Sequence, residues 1–120
     1  MSVYAKGGSG AGYTGDTTTL YRSVGADEYL DIMNTGQFNL SERGMQSKQF
    51  GLNAEETLKF ADWDKKAVAV VETKIPTEIL KEISDFTPVD TGIFKSGNVT
   101  IHSEVLDRFN QSILGITEKY

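Results

Sequence analysis

The pattern of polar and apolar positions predicts a strand in four stretches of the chain and a helix in three others. "TLYRSV" (19–24) clusters aromatic and apolar residues and predicts a strand. "GADEYLDIMNTG" (25–36) predicts a helix. Asp27 and Glu28 fall in its first turn, where the dipole favours acids, Tyr29, Ile32 and Met33 share one face, and Gly36 is a stop. "MQSKQFGL" (45–52) predicts a short strand. "NAEETLKFAD" (53–62) predicts a helix capped by Asn53, with Glu56 three residues on in capping-box form. "KKAVAVVETKIP" (65–76) is the strongest strand, β-branched and therefore central and buried. "PTEILKEISDF" (76–86) predicts a helix with Pro76 in its first turn. "TPVDTGIFKSG" (87–97) is a loop of turn residues, "NVTIHS" (98–103) a strand, and "EVLDRFNQSI" (104–113) either extends that strand or turns into a helix.

The order is thus β-α-β-α-β-α-β and a tail, without an internal repeat. Alternation of this kind can build a parallel sheet. Short strands and the long loop before the last one favour an α+β fold instead: a small mixed or antiparallel sheet with two to four short helices. Residues 1–18 differ from the rest. "KGGSGAGYTGDTTT" has little to bury and predicts a flexible tether, leaving 19–120 as one domain. "GGSGAG" lacks the Gly-Lys-Ser/Thr and the preceding strand of a phosphate-binding loop.

Composition narrows the chemistry. The chain has 120 residues, enough for one core. It has no cysteine and a single histidine, which excludes disulfides, thiolate sites and a histidine-rich metal site within one chain. Asp62, Asp64 and Asp85 have no calcium-loop spacing, so no metal is expected. No apolar run approaches the roughly 20 residues of a membrane span, and the start has no secretory h-region. Net charge is −5, with no run of three or more Lys/Arg, which argues against unaided nucleic-acid binding.

The candidate chemistry lies on two strands and a third. Period-two alternation puts Thr100, His102 and Glu104 on one face, a hydroxyl, a group titrating near neutrality and a carboxylate, with Val99, Ile101 and Val105 turned to the core. His102 suits proton transfer in attack of a ribose 2′-hydroxyl on phosphate. Glu104 suits stabilisation of an oxocarbenium ion. Arg22 shares a face with Leu20 and offers an anion clamp; Lys48 and Phe50 on the second strand are further substrate-binding candidates. The bland alternatives are an edge arginine paired with a carboxylate, a solvent-facing strand lysine, and the wet side of a strand. Trp63 and Phe60 fit core or rim packing.

The stretches "TLYRSV", "ADEYLDIMNTGQF", "KQFGLNAEETLKFA", "AVAVVETKIP" and "TIHSEVL" together resemble the C-terminal toxin domains of bacterial polymorphic toxins, of the contact-dependent inhibition and Rhs type. The resemblance covers residues 18–110 or so. Within that group the order is similar to mono-ADP-ribosyltransferases, in which an arginine stands on the first strand in a "LYR" context, as Arg22 does. Two departures are plain. "FGLN" stands where the family has a Ser/Thr-x-Ser before its helix. "HSEVL" matches the Glu-x-Glu motif only at Glu104, the catalytic position, with His102 in place of the first acid. The resemblance implies NAD as co-substrate, with Arg22 holding it and Glu104 stabilising the oxocarbenium ion. The lost first acid points to another acceptor or to NAD glycohydrolase activity. It further implies a cognate immunity protein over the Arg22–His102 surface, secretion as part of a larger carrier, and action in the target-cell cytoplasm. Two alternatives stand beside it. One is a metal-independent ribonuclease toxin cleaving tRNA, without cofactor, using His102, Thr100, Arg22 and Lys48, with a host protein presenting the RNA. The other is a non-catalytic binding module.

Overall fold

A computed structural model of the chain describes residues 15–39, 47–63, 65–87 and 98–120. The elements are β1 (Thr17–Gly25), α1 (Ala26–Thr35), β2 (Ser47–Gly51), α2 (Ala54–Trp63), β3 (Ala67–Pro76), α3 (Thr77–Ile83), β4 (Ser84–Thr87), β5 (Asn98–His102), a 3-10 turn (Ser103–Val105), α4 (Leu106–Ser112) and β6 (Ile116–Glu118). The strands form one antiparallel six-stranded sheet in the order β4-β5-β2-β1-β3-β6. This is an α+β fold.

The pairing is uneven. β1 pairs with β3 from Thr17 opposite Pro76 to Gly25 opposite Ala67, whereas β1 and β2 meet at one residue pair, Tyr21 and Gly51. The sheet therefore consists of two three-stranded halves joined at a seam. Residues opposite one another in an antiparallel pair share a face. Leu20 and Val24 of β1, Ala69, Val71 and Ile75 of β3, Phe50 of β2, Val99 and Ile101 of β5 and Ile116 of β6 form the core on one face. Ile32 of α1, Leu80 and Ile83 of α3, and Leu106 and Phe109 of α4 close over it. Three rings bridge the seam: Phe38, Phe50 and Phe109, with Phe38 edge-on to Phe50 at 5.1 Å and Phe50 5.1 Å from Phe109. Helix α2 packs against β1 and β3 but gives no residue to this core. Val70, which alternation turns to the other face, is nonetheless buried, so α2 covers that side of the β1–β3 half.

Local signals explain several boundaries. Gly36 is left-handed (φ 70°) and its N–H closes on the Ile32 carbonyl, ending α1. Asn53 Oδ1 accepts from the Glu56 N–H at 3.0 Å, as its capping position predicts.

Other expectations need correction. β1 begins at Thr17, two residues inside the stretch taken for a tether; residues 1–14 lie outside the described residues. The third helix ends at Ile83, not 86. Ser84 is extended, its N–H and hydroxyl both reaching the Leu80 carbonyl, and β4 follows. The expected loop, beyond Thr87, lies outside the described residues. β5 stops at His102, so Glu104 is in a turn and not on a strand face with Thr100 and His102; the segment after it is a helix. Met33 is exposed, because Tyr29 and Ile32 make the apolar contacts on the inner side of α1. Of the core and rim places expected for Trp63, the core is ruled out: it is exposed, with its ring centre 5.9 Å from that of Phe60.

Candidate functional site

Arg22 stands between Leu20 and Val24 on the core face of β1, and both neighbours are fully buried. A guanidinium there must be paired. Glu28 provides the partner from the first turn of α1, which folds back over the same face. Arg22 Nε donates to Glu28 Oε2 at 2.7 Å and Nη2 donates to Oε1 at 3.0 Å, a bidentate pair. Nη1 donates to the Gln49 carbonyl of β2 at 2.9 Å, so the side chain crosses the seam where ladder bonds are sparse. The guanidinium carbon lies 5.9 Å from the centre of the Phe50 ring.

Lys48 completes the group. It shares the face of Phe50 on β2, and its side chain is only 8% exposed, against the expected solvent-facing lysine. The physical reason is its phase: Phe50 and Leu52 pull their face of β2 inward and Lys48 has the same parity. Its Nζ lies 3.4 Å from Glu28 Oε1. One carboxylate thus serves two cations. Burial works to raise the Glu28 carboxyl, but the hydrogen bonds and charge of Arg22 and the charge of Lys48 outweigh it and hold it below its ordinary value. Burial pushes the Lys48 ammonium down; Glu28 opposes this, Arg22 adds to it, and Asp31 opposes it weakly. Phe50 itself is buried in the core, 1% exposed, and forms the wall of the cluster.

The other three candidates lie elsewhere. Thr100 pairs with Gln49 and His102 with Ser47, so both turn to the face opposite Lys48 and Arg22. His102 is exposed at the end of β5 and Glu104 is exposed in the turn beyond it. The C-terminal end of β1, the start of β2 and the end of β5 lie at one end of the sheet, which brings the turn with Glu104 to the same end as the start of α1. The register therefore gathers Arg22, Lys48 and Phe50 and separates them from Thr100 and His102.

Two residues passed over in the sequence stand out. Glu28, read there as a helix-start charge, is the hub of the cluster; the signal is an acid in the first turn of a helix, six residues after a strand arginine. Tyr21, facing the other side, pairs with Glu72. Burial first, then the Glu72 charge and hydrogen bond, push its phenol up. No three His, Cys, Asp or Glu side chains come together as a metal site among the described residues, and no helix among them is long and apolar enough to cross a membrane. In comparisons with known proteins, no family model, curated protein or solved structure matches the chain.

Proposed function

We propose that the domain is an antibacterial toxin effector acting on NAD, as an ADP-ribosyltransferase or NAD glycohydrolase. The observation that carries this is the Arg22–Glu28–Lys48 cluster at the seam, two cations sharing one carboxylate against an aromatic wall. A dinucleotide pyrophosphate needs pre-placed cations in a site partly withdrawn from water. Arg22 also keeps its place on the first strand, as the transferase resemblance requires. The chemistry is breakage of the nicotinamide–ribose bond. The electron pair leaves with nicotinamide, the Glu104 carboxylate offsets the charge of the ribosyl oxocarbenium ion, and water or an acceptor hydroxyl, amine or guanidine adds at the anomeric carbon and gives up a proton. The substrate would extend from the cluster past the start of β2 to the turn after β5.

The ribonuclease alternative ranks lower for a specific reason. It asks one surface to hold His102, Thr100, Arg22 and Lys48, and the β2–β5 register puts the first two on the opposite face from the last. A binding module without chemistry would use the same cations to hold an anionic partner and would leave NAD intact. The toxin reading brings with it an immunity protein in the producing cell and delivery by a larger carrier into the target-cell cytoplasm.

The test is nicotinamide release from NAD by the purified domain, followed by chromatography, with bacterial tRNA assayed in parallel on a gel. Glu104→Gln should lower release by roughly 100-fold or more, with Arg22→Ala raising KM. Intact NAD together with tRNA cut in a His102-dependent way would reverse the assignment.

A further inference from the structure

Glu28 is the least expected member of the cluster. A carboxylate beside a phosphate site repels the ligand, so its presence there needs a reason. Arginine has five N–H donors. Arg22 uses three, two on Glu28 and one on the Gln49 carbonyl, and the other two have no partner among the described residues. Lys48 has three donors and one carboxylate contact. The group is thus rich in donors and carries one net positive charge, with its side chains no more than 18% exposed.

Without an anion between them, two cations this withdrawn from water would move apart or shed charge. Glu28 holds them together. Its bidentate grip takes the Nε–Nη2 edge of the guanidinium and fixes the plane of the group. With Nη1 also donating to the Gln49 carbonyl, one N–H on each terminal nitrogen is left to meet phosphate oxygens. The grip also comes from α1, so the start of that helix and the seam between β1 and β2 are locked by one side chain.

We infer that Glu28 is a positioning residue: its carboxylate sets Arg22 and Lys48 across the seam so that their remaining N–H donors take the pyrophosphate of the dinucleotide. The inference rests on the NAD assignment and names the residue on which that affinity depends, although it does not touch the substrate.

The experiment is calorimetric binding of NAD and, separately, inorganic pyrophosphate to wild type, Glu28→Gln and Glu28→Asp, with melting curves and nicotinamide release alongside. Losing charge-assisted hydrogen bonds of this kind is worth about tenfold or more in affinity. Glu28→Gln should therefore weaken both ligands by about that factor. The loss should appear in KM, with turnover at saturating NAD within about twofold of wild type. Glu28→Asp keeps the charge but is one methylene shorter, so it should fall between the two, and it carries the test if Glu28→Gln does not fold. Wild type that binds pyrophosphate, with variants that bind it equally well, would overturn the inference and leave the NAD assignment standing. Wild type that binds neither ligand would remove both.

Discussion

Glu28 ties stability to pH. Its carboxyl sits below the ordinary 4.5 in the folded chain, held there by Arg22 and Lys48 against the opposing effect of burial. A depressed acid contributes stability that is fully present above its unfolded value and lost as pH falls through the folded one. Lys48 acts at the other extreme. Its folded value is lowered from 10.5 by burial, so its cost to folding is present at neutral pH and relieved as pH rises from the folded value toward 10.5. Glu28→Gln leaves Arg22 and Lys48 facing each other with no anion, and should cost about 2–3 kcal/mol at pH 7 given the residual exposure of the pair. Thermal unfolding from pH 7 down to pH 3 measures this. The gap between wild type and variant should narrow below the ordinary carboxylate value, and a gap of constant size would show that the charge of Glu28 is not what stabilises the cluster. By contrast, the Arg108–Glu82 pair is more than half exposed on both sides, and breaking it should change little.

Among the elements, α4, which the sequence leaves open between strand and helix, contains the clearest single anchor. Asn110 is buried; its Oδ1 accepts from the Phe38 N–H and its Nδ2 donates to the Phe38 carbonyl, both at 2.8 Å. These two bonds satisfy the backbone just after α1 where no strand or helix does so, and they hold the Phe38 ring against Phe50 and Phe109. Asn110→Ala should therefore cost about 2–3 kcal/mol, because two buried backbone groups lose their partner. Asn110→Asp should cost at least as much, since it removes the donor and buries a charge. Denaturant unfolding checks both, and a variant within about 0.5 kcal/mol of wild type would mean that other groups satisfy Phe38. The same elements explain what the sequence concealed. Strands β1 and β3 and helices α1 and α2 are long enough to show a period, and each falls near its expected place. β4 was hidden because Ile79, Ile83 and Phe86 continue a helical spacing in the sequence past the point where Ser84 stops the helix. β6 has three residues, too few to display any period, and it exists only through its pairing with β3. Tertiary contact, not local preference, decides such pieces.

At the scale of the molecule, phase rather than composition decides which candidate residues share a surface. Alternation within a strand was read correctly: Leu20 with Arg22, and Val99 with Ile101, do share faces. Joining strands takes one step more, because Arg22, Lys48, Thr100 and His102 form one surface only if the buried faces of their strands put them on the same side of the sheet. Phe50 turns Lys48 inward, and Val99 and Ile101 turn Thr100 and His102 outward, so the separation was legible from apolar parity alone. What no single strand could reveal is the seam, because it depends on β1 choosing β3 along its whole length and β2 at one pair. That asymmetry has a dynamic consequence. Amides in the β1–β3 ladder open only with large parts of the sheet, whereas Gln49 to Gly51 are held to β1 chiefly by one backbone pair, the Arg22 bond to Gln49 and the three rings. Local opening should follow this division. Hydrogen exchange should be slowest from Leu20 to Val24 and from Ala69 to Thr73, and measurably faster in β2. Pyrophosphate bound by Arg22 and Lys48 would bridge the same gap, because the two cations belong to different halves of the sheet. Saturating pyrophosphate should then slow exchange in β2 and in the first turn of α1 by about tenfold, while β3 and α3 change little. Slowing spread evenly over all strands would mean general stabilisation by the anion, and β2 amides as slow as those of β1 before any ligand is added would mean that the two halves already move as one.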